Sequence, residues 1–392
     1  MRRCSICNLG TFIISHIIPF NRSYITGLEL KNIALAQKAG ALSGDGKFSR
    51  ECERLLEITQ RVPRSLVTHS CTAALEMAAI LLELRAGDEV IMPSYTFVST
   101  ANAVAMRGAV PVFVDIRPDT LNIDETLIEA AITPKTKSIW VVHYAGVACE
   151  MDAILKIATK YGLSVVEDAA QALRSTYKNK PLGGLGDFGA LSFHETKNIT
   201  CGEGGALLIR DLPASEQAEI VHQKGTDRRR FMSGKVDKYT WQTVGSSYLL
   251  GELASAYLRA QLEHADDITE MRRHLWRRYH EALAPVARSG LISRPSVPDH
   301  CVHNAHMYYV VLADGIDRSA VLAKLNAAGI GAVFHYVPLH SSPAGARMGR
   351  AAGLLKHTDA ISAGLIRLPL WAGLSELDQD RVIAELGKVL TD

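Results

Sequence analysis

Leu163-Ser164-Val165-Val166-Glu167-Asp168-Ala169-Ala170-Gln171 is an apolar run that stops at two adjacent carboxylates. A second run, Gly189 to Phe193, leads into Ser192-Phe193-His194-Glu195-Thr196-Lys197-Asn198. Upstream, Leu66–Thr68, Glu89–Met92, Val110–Val114 and Ser138–Val142 are further strand-like runs, and Ala206–Ile209 closes the set. Helix-like segments alternate with them from residue 29 to 270. Continuous apolar strands that alternate with helices predict an α/β fold, with a mostly parallel sheet covered on both faces. In such sheets ligands bind beyond the carboxyl ends of strands. The polar residues that stand at those ends are Ser70–Thr72, Tyr95–Phe97, His143, Asp168 and Gln171.

Asp168 and Lys197 follow neighbouring predicted strands, and together they suggest one chemistry. A lysine amine forms a Schiff base with an aldehyde cofactor. An aspartate can keep a pyridine nitrogen protonated, which makes pyridoxal phosphate (PLP) an electron sink. Alone, Lys197 reads as a surface cation and Asp168 as a turn or cap. Ser70-Cys71-Thr72 sits at a strand-to-helix turn, where free N–H groups suit a phosphate; ordinary N-capping explains the same residues. Phe97 can stack on a flat cofactor or simply fill core. Gln171 would reach the ring, and Ser192 would add a phosphate donor. Gly202-Glu203-Gly204-Gly205 would permit close backbone approach. Lys224-Gly225-Thr226-Asp227-Arg228-Arg229-Arg230 is either a solvated charge run or a contact for a diphosphate.

Size and composition set the frame. At 392 residues, two domains are expected. A net charge of +2 gives no reason to expect nucleic acid or an anionic membrane as partner. Seven scattered cysteines indicate a reduced, cytoplasmic chain. Cys4 and Cys7 have the spacing of half a zinc site, but no second pair completes it, so no metal is expected. Residues 1–17 hold two arginines and a broken apolar stretch too short to span a bilayer. They are expected to be an extension outside the fold, arising from a start codon placed too far upstream. The large domain is expected over 18–269 and a small α+β domain over 270–392. A long amphipathic helix, or two in series, would run from Leu253 to Leu283 and end by Pro285.

The chain resembles the DegT/DnrJ/EryC1/StrS family of PLP-dependent sugar aminotransferases. The resemblance rests on Ser-Cys-Thr-Ala-Ala-Leu at 70–75, Met-Pro-Ser-Tyr-Thr-Phe-Val-Ser-Thr at 92–100 and Phe-Val-Asp at 113–115. It continues through Glu-Asp-Ala-Ala-Gln at 167–171, Ser-Phe-His-Glu-Thr-Lys-Asn at 192–198, Gly-Glu-Gly-Gly at 202–205 and His-Tyr-Val-Pro-Leu-His at 335–340. It implies fold type I, with Lys197 as the cofactor-bearing lysine and Asp168 as the pyridinium partner. It also implies that Gln171 and Phe97 bracket the ring, while Cys71, Thr72 and Ser192 hold the phosphate. Ser247 stands where relatives carry an Asn that reaches the neighbouring subunit's cofactor, which implies a homodimer. Arg228, His306, Tyr308 and His335 are candidate substrate neighbours. The implied reaction moves the amino group of L-glutamate to C4 of a dTDP-linked 4-keto-6-deoxy sugar, with a galacto product. Two alternatives compete. A sugar dehydratase of this family would replace the lysine with histidine, and Lys197 is retained. A ligand-binding regulator would need a DNA-binding segment, and none is visible.

Overall fold

The computed structural model describes residues 16–391. Seven strands of the main sheet come before residue 210: β1 (Arg64–Thr68), β2 (Glu89–Pro93), β3 (Val110–Val114), β4 (Thr136–Val142), β5 (Ser164–Asp168), β6 (Phe188–Ser192) and β7 (Gly205–Ile209). The C-terminal part contributes β8 (Ile292–Ser293), β9 (Tyr308–Leu312), β10 (Arg350–Ala351) and β11 (Leu365–Leu368). The main sheet has the order β1-β7-β6-β5-β4-β2-β3-β10. It is parallel except for β7, which runs antiparallel to both β1 and β6. The strands β8, β9 and β11 form a small antiparallel sheet. This is the mixed α/β architecture expected.

The unbroken apolar runs have a simple cause. Val90, Trp140 and Val166 point into one core layer, while their neighbours Ile91, Val141 and Val165 point into the other. Side chains alternate along a strand, so a sheet covered on both faces needs apolar residues at every position. The register brings the carboxyl ends of β4, β5 and β6 level: Val142 pairs with Asp168, and Asp168 with Ala190.

Glu167 anchors that level edge from below. Its carboxylate is fully buried and accepts from the N–H groups of Gly183 (2.8 Å), Leu185 (2.6 Å) and Gly186 (2.7 Å). The Cys149 N–H donates to His143 Nδ1 at 3.2 Å, so His143 Nε2–H is left to donate to Glu167 at 2.8 Å. Burial pushes the Glu167 carboxyl up, but the bonds from His143 and the glycine N–H groups outweigh it, and the net shift is downward. His143, conspicuous in the sequence at a strand end, is thus a buried brace and does not line the cavity described below. Glu167→Gln should destabilise the fold by roughly 3–5 kcal/mol at neutral pH, because an NH2 would face N–H donors. The lowered pKa fixes the sign of the pH effect. Stabilisation is complete above the ordinary carboxyl value and is lost as pH falls through the folded value. Urea midpoints measured from pH 7 downward should therefore fall less steeply in the variant.

Helix α1 (Cys71–Leu81) follows β1, and α2 (Val98–Ala105) follows β2. The expected long helix is two in series, α3 (Glu252–Glu263) and α4 (Ala265–Ala282), with a break at His264. Pro285 does not end the helical chain but lies in the first turn of a further short helix, Ala284–Arg288. Position 269/270, the expected domain division, falls inside α4. Ile18, expected to open the large domain, is buried instead among Leu275, Tyr279, Val310 and Leu368. It bridges to Ile330 as well. Contact with the C-terminal part begins earlier still. The His16 carbonyl accepts from Arg381, and its ring lies 3.1 Å from Asp378, so the packed chain extends at least two residues before Ile18. The rest of the expected extension, with Cys4 and Cys7, lies outside the described residues. Among the described residues no helix is long and apolar enough to cross a membrane, and no cluster of three metal-ligating side chains occurs.

Candidate active site

A cavity of about 770 Å³ opens at the carboxyl edge of the sheet. Ser70, Cys71, Thr72, Phe97, Asp168, Gln171, Ser192, Lys197, His306 and His335, all singled out from the sequence, line it together. Three other candidates do not. Tyr308 is fully buried in the C-terminal core, its ring stacked 5.0 Å from Tyr279 and set edge-on to Trp276. It lies on β9, whose packing against α4 turns it away from the cavity. Arg228 lies on the short helix Arg228–Met232, and Ser247 lies on an exposed stretch bridged to Gln223. Neither belongs to the cavity wall of this chain.

Asp168 ends β5, so its backbone is fixed by both neighbouring strands. Its carboxylate accepts from Thr100 Oγ1 at 2.7 Å and from the Ala170 N–H at 3.2 Å. Thr96 Oγ1 lies 3.0 Å from Thr100 Oγ1 and supports that hydroxyl. Burial raises the Asp168 pKa despite these bonds and the nearby Lys197. Neither of its two hydrogen bonds brings a positive charge to this buried carboxylate, and a pyridinium N–H would add one.

Lys197 lies in the turn after β6. Burial lowers its pKa, against the opposing pull of Cys71 and Asp168, and the Arg367 charge lowers it further. Lowering favours the free amine, the form that attacks a carbonyl or accepts a proton. The loop is tied down nearby: Asn21 Nδ2 and Ser23 Oγ both donate to the Glu195 carbonyl at 3.2 Å. Asn198 Nδ2 donates to the Asn304 carbonyl at 2.9 Å, which turns Asn198 Oδ1 toward His306 Nδ1 at 3.1 Å. His306 therefore carries its proton on Nδ1 and keeps an acceptor on Nε2. Burial, and then the charges of Lys197, Arg367 and Arg272, push its pKa well down and keep it neutral.

The phosphate end is built at the start of α1. Ser70 Oγ accepts from the Ala73 N–H at 3.1 Å, so Ser70 is an N-cap, the plainer of its two sequence readings. The first N–H groups of the helix remain free to meet an anion, and Thr72 Oγ1 pairs with Ser99 Oγ at 2.7 Å beside them. Gly205 makes this approach possible. A Cβ there would stand 2.4 Å from Cys71 N and 2.5 Å from the Ser70 carbonyl oxygen. Burial holds the Cys71 thiol far above its usual pKa, so it stays neutral beside a phosphate. Gln171 is committed: its Oε1 accepts from the Ala145 N–H at 2.7 Å and its Nε2 donates to Tyr336 OH at 2.8 Å. It holds the Tyr336 ring, which stacks on His335 at 3.6 Å and tilts toward Phe97 at 6.4 Å.

These residues fit PLP: a helix N-terminus for the phosphate, a buried carboxylate for the ring nitrogen and an uncommitted lysine for the aldehyde. When bound, PLP supplies an electron sink at the carbon that exchanges nitrogen. The sequence reading missed Thr100, Ser99, Tyr336 and Arg367. Tyr336 lay inside the quoted 335–340 motif. Arg367 is a lone charge in the apolar run Leu365-Ile366-Arg367-Leu368, which was the available signal.

The family of the chain follows from comparison. The model of the DegT/DnrJ/EryC1/StrS aminotransferase family matches residues 24–387, and the chain belongs to that family. It is thus a PLP-dependent sugar aminotransferase of fold type I. Among its relatives, GDP-perosamine synthase of Caulobacter vibrioides is 36% identical over 353 residues, covering 89% of this chain and 92% of that protein. Spore coat polysaccharide biosynthesis protein SpsC of Bacillus subtilis is 33% identical over 384 residues, covering 94% and 96%. The structure of Spr1654 from Streptococcus pneumoniae in its PLP form superposes with a TM-score of 0.88 at 28% identity, covering 96% of this chain and 99% of that one.

Proposed function

We propose that the chain transfers the amino group of L-glutamate to C4 of dTDP-4-keto-6-deoxy-D-glucose, giving dTDP-4-amino-4,6-dideoxy-D-galactose. The product would feed a surface polysaccharide of the enterobacterial common antigen type, in the cytoplasm. The observation that carries this reading is the placement of Lys197 and Asp168 in a cavity of about 770 Å³, far larger than an amino acid needs. Its mouth is apolar and exposed at Phe97, Phe334 and Val337, a surface suited to sugar and base faces. Pro93–Thr100 and His143–Asp152 resemble the corresponding stretches of dTDP-4-amino-4,6-dideoxygalactose transaminases, and this resemblance supports the dTDP-sugar. The kinship with GDP-perosamine synthase favours a second reading, a GDP-linked keto-sugar on the same site.

We further propose a homodimer with shared sites and two domains that divide near 269/270 within α4, with His16 to Ile18 docked on the C-terminal one. Ser247, exposed and outside its own chain's cavity, would then reach the partner's cofactor. The test is a product assay. Protein, PLP and L-glutamate are incubated with the dTDP-linked or the GDP-linked 4-keto-6-deoxy sugar, and the product is identified by NMR. An axial C4 amine on the dTDP-sugar is expected. An equatorial amine would refute the galacto outcome, and nitrogen at C3 would refute the substrate.

A further inference from the structure

A second cavity, of about 410 Å³, opens between the end of the helix Lys47–Gln60, the segment 174–181 and the start of α4. It shares no lining residue with the catalytic cavity. Arg61, Arg174 and Arg273 line it, and Asp266 is the one carboxylate among the described lining residues. The frame is tied together. Thr176–Tyr177 pairs antiparallel with Lys180–Pro181 and with Cys301–Val302. Gln60 Nε2 donates to the Leu182 carbonyl at 2.7 Å, and Arg61 to the Asn179 carbonyl at 3.2 Å. Arg273 Nε donates to the His303 carbonyl at 2.7 Å.

Three observations mark this frame as incomplete. The first is charge. Arg174 pairs with Asp266, whose side chain is 78% exposed, yet burial and then the charge of Arg273 still push the Arg174 pKa down. Arg273 reaches the Arg174 carbonyl at 3.5 Å and Glu270 only at 3.9 Å. Neither guanidinium fork is closed by both oxygens of a carboxylate. The second is Ser175, which lines the cavity, is fully buried, and has an Oγ without a hydrogen-bond partner. Buried hydroxyls are nearly always paired. The third is backbone. Arg174 has φ of 68°, in the left-handed region that favours glycine. An arginine held there at a backbone cost is kept for its side chain.

We propose that this cavity binds a phosphate-type oxyanion, held by the guanidinium groups of Arg61, Arg174 and Arg273. Guanidinium forks match phosphate oxygens, and three of them outweigh the charge of Asp266. Among the described lining residues there is no aromatic ring, and Pro181 and Val302 are the apolar ones. The site therefore recognises the charged group and offers nothing to a base or an acyl chain. Bound there, the anion ties α4 to the segment 174–181. The site depends on neither the transamination reading nor the choice of sugar.

The experiment uses PLP-loaded protein, whose cofactor phosphate occupies the start of α1. It is titrated calorimetrically with inorganic phosphate and with pyrophosphate, the ionic strength being held with sodium chloride, and thermal midpoints are recorded alongside. At least one probe should bind saturably, once per chain, and raise the midpoint with the logarithm of its concentration. Arg174→Gly removes a fork and relieves the left-handed backbone. Its midpoint without phosphate should equal or exceed that of wild type, while its affinity falls ~10-fold or more. Arg61→Gln, at an exposed position, should weaken binding in the same sense, and it carries the comparison if the first variant fails to fold. Arg367→Gln, in the catalytic cavity, should leave the affinity within about twofold. If neither probe binds above the chloride control, the proposal fails. It fails too if Arg174→Gly and Arg61→Gln both keep wild-type affinity, or if Arg367→Gln loses it, since the anion then sits elsewhere.

Discussion

Lys197→Ala should lower turnover by at least ~10³-fold while leaving the fold intact. Two losses combine. The amine that would fix PLP covalently is gone, and so is the base that would move a proton at the carbon exchanging nitrogen. The site geometry supports both tasks. Burial depresses the lysine pKa, so more of it is the free amine at neutral pH. The loop carrying it is tied at Glu195 by Asn21 and Ser23, and at Asn198 by Asn304 and His306. None of those ties uses the Lys197 side chain, so truncation should cost little stability. Borohydride treatment of PLP-loaded wild-type protein should fix the cofactor to the peptide containing Lys197, and the variant should release it on denaturation. A label mapped to another lysine would overturn the assignment.

Asp168→Asn should cost roughly 10²–10⁴-fold in turnover. The amide keeps the shape: its oxygen can accept from the Ala170 N–H, and its NH2 can donate to the Thr100 hydroxyl, which turns to accept. What it removes is the charge that would hold the pyridine nitrogen protonated. Burial already strains this carboxylate, since its pKa is raised, and a pyridinium partner would relieve that. Removing the charge should therefore leave the apo protein as stable as wild type or more so, while weakening catalysis. Thermal midpoints of the apo proteins and turnover of the loaded ones check the two halves of this expectation. A variant with wild-type turnover would show Asp168 to be a structural cap.

The sequence determined the elements and which polar residues stand at the strand ends. Runs such as Val110–Val114 and Ala206–Ile209 were legible because a doubly covered sheet makes every strand position apolar. Asp168 and Lys197 were legible because a charge that halts an apolar run is a local signal. Local signal misled at Tyr308, which sits in the apolar core of β9, and at His143, whose partner Glu167 is next to Asp168 in the sequence but faces away from the cavity. Side-chain direction depends on what packs above and below a strand, and period alone does not say which face meets a cavity. Tertiary structure alone decided the rest. Arg367 reaches the site because β11 pairs with β9 and Phe20 returns from the chain's start to cover its guanidinium. Arg367 stands 58 positions from Tyr309 and 347 from Phe20, and hydrophobic burial of Ile18, Leu275 and Leu368 in one cluster is what brings such distant segments together.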